Sequence, residues 1–153
     1  MKLLTSFGKA LLGVGLLLRE PNARIHAAAT LTVVGAGYLI SLSRLEWAVV
    51  VTNIGLVLVL ETLNTALESY VDLAAPGRNP AAARAKDAAA GAVLIASVIA
   101  VVVAALVFGP RLGELAGALA AAWTAHPVAC ALYLAVVFAF LAAGVGWRGK
   151  WPG

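Results

Sequence analysis

The sequence predicts an all-α integral membrane protein: an N-terminal interfacial amphipathic helix, three core transmembrane helices and an extra C-terminal fourth transmembrane helix. Three observations carry this prediction. Of 153 residues, 63% are hydrophobic and only 12% charged, whereas a soluble domain carries about a quarter charged residues. The mean hydropathy is +0.98. The charges also collect between long uncharged runs, the pattern of segments that cross a bilayer. Disorder is excluded, because a disordered chain is poor in apolar residues.

The first 18 residues look like a secretory signal, but Lys9 interrupts the apolar run that a signal needs. Lys2, Ser6, Lys9 and Gly13 recur at helical spacing with leucines on the other faces, which predicts a surface helix over 2–18. Arg19, Glu20, Asn22, Arg24 and His26 follow as a polar cluster, with Pro21 suited to a helix start. The first span is predicted over 25–43, and Arg44 and Glu46 mark its far side beside an interfacial Trp47. The second runs over 47–72, continuing through Glu61, Asn64, Glu68 and Asp72 because Leu63, Leu67 and Val71 keep the helical pattern. Pro76, Gly77 and Pro80 break the chain, and the third span covers 86–109.

These elements make residues 1–112 one membrane domain and 113–153 a C-terminal extension. Across the junction, Gly109, Gly113 and Gly117 form a small-residue series that permits close helix packing. The fourth span covers 127–146, and Trp147, Arg148, Lys150 and Trp151 close the chain. With a cytoplasmic N-terminus, nine Lys and Arg residues fall inside and only Arg44 and Arg111 outside. That bias places both chain termini and the regions of Glu20, Glu61 and Lys86 on the cytoplasmic side.

The net charge of +4 does not indicate nucleic-acid binding, because the basic residues are scattered without aromatic interleaving. Cys130 is the only cysteine, which excludes an internal disulfide and a cysteine metal cluster. The Gly144, Gly149 and Lys150 spacing mimics a phosphate loop. Trp151 stands where a metal-holding Ser or Thr belongs, however, and no strand precedes it. His26 and His126 lie too far apart in this topology to form a metal pair.

The chemistry concentrates on the second span. With Glu61 at 0° and about 100° per residue, Asn64 falls near −60°, Glu68 near −20° and Asp72 near +20°. Such a polar stripe in a span is expensive and defaults to a functional reading. Carboxylates at the membrane edge suit Mg²⁺, which takes oxygen ligands and bridges substrate phosphates. A glutamate deeper in the span is placed to act as a general base. Lys86 supplies a cation for a phosphate and Asp87 an acceptor. Together these form the kit for phosphoryl transfer.

Glu20-Pro21-Asn22-Ala23-Arg24-Ile25-His26, Glu61-Thr62-Leu63-Asn64-Thr65-Ala66-Leu67-Glu68-Ser69-Tyr70-Val71-Asp72 and Ala85-Lys86-Asp87 stand in order. With them the chain resembles the small prokaryotic diacylglycerol kinases and undecaprenol kinases, over roughly residues 7–112. The resemblance implies an ATP-dependent lipid kinase of the bacterial cytoplasmic membrane, assembled as a homotrimer. It implies Glu61 as general base, Glu20 and Glu68 as carboxylates holding Mg²⁺ on ATP, and Lys86 and Asp87 as nucleotide contacts. Asn64, Asp72 and Arg24 support the site. The Arg24-Ile25-His26 ending and the Glu46-Trp47 pair resemble the undecaprenol branch more than the diacylglycerol branch. A non-enzymatic membrane subunit or cation-conducting oligomer is the alternative of another class, since carboxylate stripes also line cation paths. Three features depart from the family pattern: the Gly77-Arg78-Asn79 loop, the register of Gly13, and the fourth span, to which the sequence assigns no role.

Overall fold

The computed structural model describes residues 2–146; Trp147, Arg148, Lys150, Trp151 and most of the phosphate-loop mimic lie outside the described residues. The described chain is helical, with no strand: α1 (Lys2–Leu17), α2 (Pro21–Leu39), α3 (Arg44–Ala74), α4 (Pro80–Phe108), α5 (Leu112–Ala125) and α6 (Pro127–Val145). A 3-10 turn, Gly109–Arg111, separates α4 from α5.

The helices start and stop for local reasons. Pro21 fills the first turn of α2, where a missing N–H costs nothing. The span expected over 25–43 begins earlier and stops at Leu39, because residues 40–43 turn the chain with Ser41 at φ 50°. Ser43 and Glu46 close a reciprocal capping box at the start of α3. Asn79 caps α4 by accepting from the amides of Ala81 and Ala82, with Pro80 next to it. Along α3, the hydroxyls of Thr62, Thr65 and Ser69 donate to the carbonyls of Leu58, Glu61 and Thr65, so these polar residues are satisfied within their own helix.

Three segments are long and apolar enough to cross a membrane: Arg44–Ala74, Pro80–Ala125 and Pro127–Val145. The predicted first span is not among them. Its helix, α2, is 19 residues long but carries Asn22, Arg24 and His26 in its first two turns. The 46-residue segment Pro80–Ala125 would be about 70 Å long if straight, more than twice a bilayer core. Arg111 breaks it: its backbone leaves helical geometry (φ −112°, ψ 15°). Its guanidinium also reaches the carbonyl of Ile40 and the carboxylates of Glu46 and Glu114.

The α4 end is thereby tied to the α2–α3 hairpin. The packed core sits there too: Ile40, Leu42 and Val50, with Val33, Trp47, Ile54, Val107, Phe108 and Leu115 around them. Gly37 allows this closeness, since a Cβ on it would lie 2.8 Å from Leu42 and 3.0 Å from Trp47. Trp47 is therefore packed against the hairpin. The series of Gly109, Gly113 and Gly117 makes no close helix contact within the described chain. A Cβ at Gly109, Gly113 or Gly117 would meet nothing within 4 Å, and close helix approach occurs instead at Gly35, Gly37 and Gly144.

α6 runs antiparallel along α2. Ala143 and Gly144 lie beside Pro21, Arg24 and Ile25, while Tyr133 lies over Gly35 and donates to the carbonyl of Leu31. This register puts the start of α6 beside the end of α2. α5, which follows the Arg111 anchor and ends at Ala125, therefore crosses the hairpin end of the bundle.

Candidate functional site

Element lengths set the depth of the site. A bilayer core takes about 20 helical residues. Counted from Arg44, that depth is reached near Asn64; counted back from Phe108 it is reached near Ala88, and back from Leu39 near Glu20. α3 has 31 residues and α4 has 29, so both overhang at the end opposite the hairpin. Glu61 thus falls just within the apolar layer. Glu20, Glu68, Asp72, Lys86 and Asp87 fall at or beyond its edge, at one end of the bundle.

The side chains converge accordingly. Glu61 is 2% exposed and Asn64 8%, the buried polar pair of the described residues. Glu20 and Glu68 are half-buried, and the carboxylates of Glu20, Glu61 and Glu68 lie close enough to repel one another. Burial, then the Glu68 charge, holds the Glu20 carboxyl above its ordinary value, and Arg24 pulls it back. Asn64 Nδ2 donates to Glu68 Oε1 at 2.9 Å. Asn64 Oδ1 is buried without a hydrogen-bond partner.

Lys86 forms an ion pair with Asp72, joining α4 to α3 one turn beyond Glu68. Asp87 is exposed beside it. Arg24 donates through Nε to Leu18 O at 2.9 Å and through Nη1 to Ala143 O at 3.0 Å. Asn79, in the loop that departs from the family pattern, spends its side chain on capping α4. Sequence reasoning did not foresee the contact of Arg24 with Ala143 beside Gly144, because a backbone carbonyl and a buried glycine leave no polar signature. Near the site, His26, Val33, Ile54, Val57, Ser97 and Val101 line a cavity of about 250 Å³ between α2, α3 and α4. Ser97 Oγ is also buried without a hydrogen-bond partner.

Among the described residues, no three His, Cys, Asp or Glu side chains lie together closely enough to hold a metal ion by themselves. The donor set still fits Mg²⁺. Carboxylates of α3 and the α1–α2 connector lie at the same end of the bundle, Asn64 offers an orphaned amide oxygen beside Glu68, and this ion usually completes its shell with phosphates and water.

Fold and site together define a helical integral membrane protein with a carboxylate site at the edge of its apolar layer. The family model described as prokaryotic diacylglycerol kinase matches residues 8–108. The chain belongs to that family. It is 47% identical over 76 residues to the undecaprenol kinase of Bacillus subtilis, covering 50% of this chain and 62% of that protein. It is 43% identical over 97 residues to the diacylglycerol kinase of Synechocystis, covering 62% of this chain and 55% of that protein. The chain thus spans less than two-thirds of the length of these relatives. No solved structure matches it significantly.

Proposed function

We propose that the protein is an ATP-dependent kinase of a membrane lipid alcohol, with undecaprenol as substrate. The observation that carries this reading is the meeting of Glu20, Glu61 and Glu68 at the depth where a lipid hydroxyl would lie. Family membership and the two relatives, named for undecaprenol and diacylglycerol, supply the substrate class.

In this mechanism Glu61 takes the proton from the lipid hydroxyl. The hydroxyl oxygen bonds to the γ-phosphorus as the bond from that phosphorus to the β–γ bridging oxygen breaks, and ADP leaves with the electron pair. Glu20 and Glu68 would hold Mg²⁺, which when bound neutralises the charge on the β- and γ-phosphate oxygens. Asn64 orients Glu68. Lys86 is held only by a partly exposed pair with Asp72, which breaks at little cost, so its ammonium is available to a phosphate. Asp87 accepts a further contact from the nucleotide. In the proposed assembly, three copies sit in a bacterial cytoplasmic membrane with the site and both termini on the cytoplasmic side.

The test is transfer from labelled ATP with Mg²⁺ in mixed micelles, offering undecaprenol and diacylglycerol separately. Transfer to undecaprenol that Glu61→Gln and Glu68→Gln abolish is the expected result. Transfer to diacylglycerol alone overturns the substrate and keeps the mechanism. No transfer by folded protein overturns the kinase reading in favour of a non-enzymatic subunit or cation path, which liposome flux would then reveal.

A further inference from the structure

Glu20 does not stand on a helix. It ends the short connector between α1 and α2, whose amides at Arg19 and Glu20 donate to Leu16 O (3.0 Å) and Leu17 O (2.9 Å). Arg24, one turn on, spans from this connector to the fourth span: Nε donates to Leu18 O and Nη1 to Ala143 O. Ala143 lies in the last turn of α6, where carbonyls lack partners within the helix and a cation is favourable. The next residue, Gly144, is buried. A Cβ there would lie 2.7 Å from Ile25 Cγ1 and 2.9 Å from Pro21 O, so the two backbones are in contact. Lower down, Tyr133 fastens α6 to α2 a second time, at Leu31 and Gly35.

We infer that α6 is a strut that positions Glu20, with Arg24 as the tie and Gly144 as the seat. The connector alone has few packed contacts, since Leu18 and Arg19 are exposed. The end of α6 gives it a fixed external support, so the carboxylate keeps its place opposite Glu68. Arg24 and Gly144 act through Glu20 and are positioning residues. This inference rests on the reading of Glu20 as a ligand of the metal–nucleotide, and its test separates the two.

Two readouts are taken on full-length protein in micelles. Hydrogen exchange over residues 18–24 reads the strut without turnover, and the KM values for Mg·ATP and lipid read its consequence. Gly144→Leu should raise exchange of that segment roughly tenfold, because the connector opens locally more often. It should also raise the KM for Mg·ATP by about tenfold and leave the lipid KM unchanged, as a misplaced ligand requires. Gly117→Leu, where a Cβ meets nothing within 4 Å, should change neither. Arg24→Lys keeps the charge but lacks the planar fork that spans the two carbonyls, and should give the same signature in smaller measure. It carries the test if Gly144→Leu does not fold. Unchanged exchange over 18–24 in the folded variants overturns the strut. Faster exchange with an unchanged Mg·ATP KM confirms the strut and overturns the role given to Glu20.

Discussion

Asn64 donates its amide to the Glu68 carboxylate at 2.9 Å, while its own amide oxygen is buried and unpaired. The two residues are four apart on α3 and share a face. The bond occupies one acceptor position of Glu68. An unpaired buried acceptor costs about 1–3 kcal/mol, and such exceptions call for an explanation. Under the proposed function, that oxygen is an acceptor left for the Mg²⁺–nucleotide.

Asn64→Ala should therefore separate stability from function. It removes the orphaned oxygen together with the bond, so the melting temperature should hold within about 2 °C. The KM for Mg·ATP should rise roughly tenfold, because Glu68 loses its orientation. Thermal melts and initial rates check both. A large loss of stability with normal kinetics would make Asn64 a packing residue.

Glu61→Gln keeps the shape of the side chain and removes the base. We expect kcat to fall by about 10²–10⁴-fold, the usual contribution of a positioned base, with both KM values little changed. The variant should melt within a few degrees of wild type, because the buried side chain keeps its shape and volume. Single-turnover rates and melting curves read these effects. A fall in kcat accompanied by a lower melting temperature would point to lost packing.

These expectations were largely legible in the sequence. The stripe of Glu61, Asn64 and Glu68 follows from helical periodicity, and the depth of Glu61 from counting residues of an apolar run. Other features required coordinates. The α5 glycine series reads as a packing face, yet it faces open space because Arg111 turns the chain across the hairpin end. Lys86 reads as a lone cation for phosphate, whereas Asp72 engages it, a pairing across 14 residues that no local pattern reveals. The place of α6 on α2 depends on backbone contact at Gly144, and an apolar run does not state which helix it will meet.

The pH response should expose the strain at Glu20. Its carboxyl titrates above the ordinary value through burial and the Glu68 charge. A raised acid binds more protons when folded than when unfolded, so ligand-free stability should fall as pH rises from the unfolded value through the folded one. Glu20→Gln removes that loss. Its melting temperature should exceed that of wild type at pH 7, and the gain should vanish below the titration range of an ordinary carboxylate. The Mg²⁺ requirement of wild type should increase on acidification at a pH above that range. Melts from pH 4 to 8, with and without Mg²⁺, test both; a pH-independent difference between the proteins would remove Glu20 from the coupled group.

Arg111 offers the opposite case, a polar anchor that serves the scaffold and not the site. Its guanidinium meets the Ile40 carbonyl, Glu46 and Glu114, holding the hairpin to the turn between α4 and α5. Arg111→Ala leaves the Ile40 carbonyl without this donor beside the core of Ile40, Leu42 and Val50. Glu46 lies 22 residues before Glu68 on the same helix, a distance of roughly 30 Å. The variant should therefore melt several degrees lower and exchange faster over residues 40–46 and 109–115, with KM for ATP and lipid unchanged below its transition. Exchange mass spectrometry with kinetics at low temperature makes the distinction. A selective loss of nucleotide affinity would mean that the two ends of the bundle are mechanically coupled through α3, which packing confined to the hairpin end does not provide.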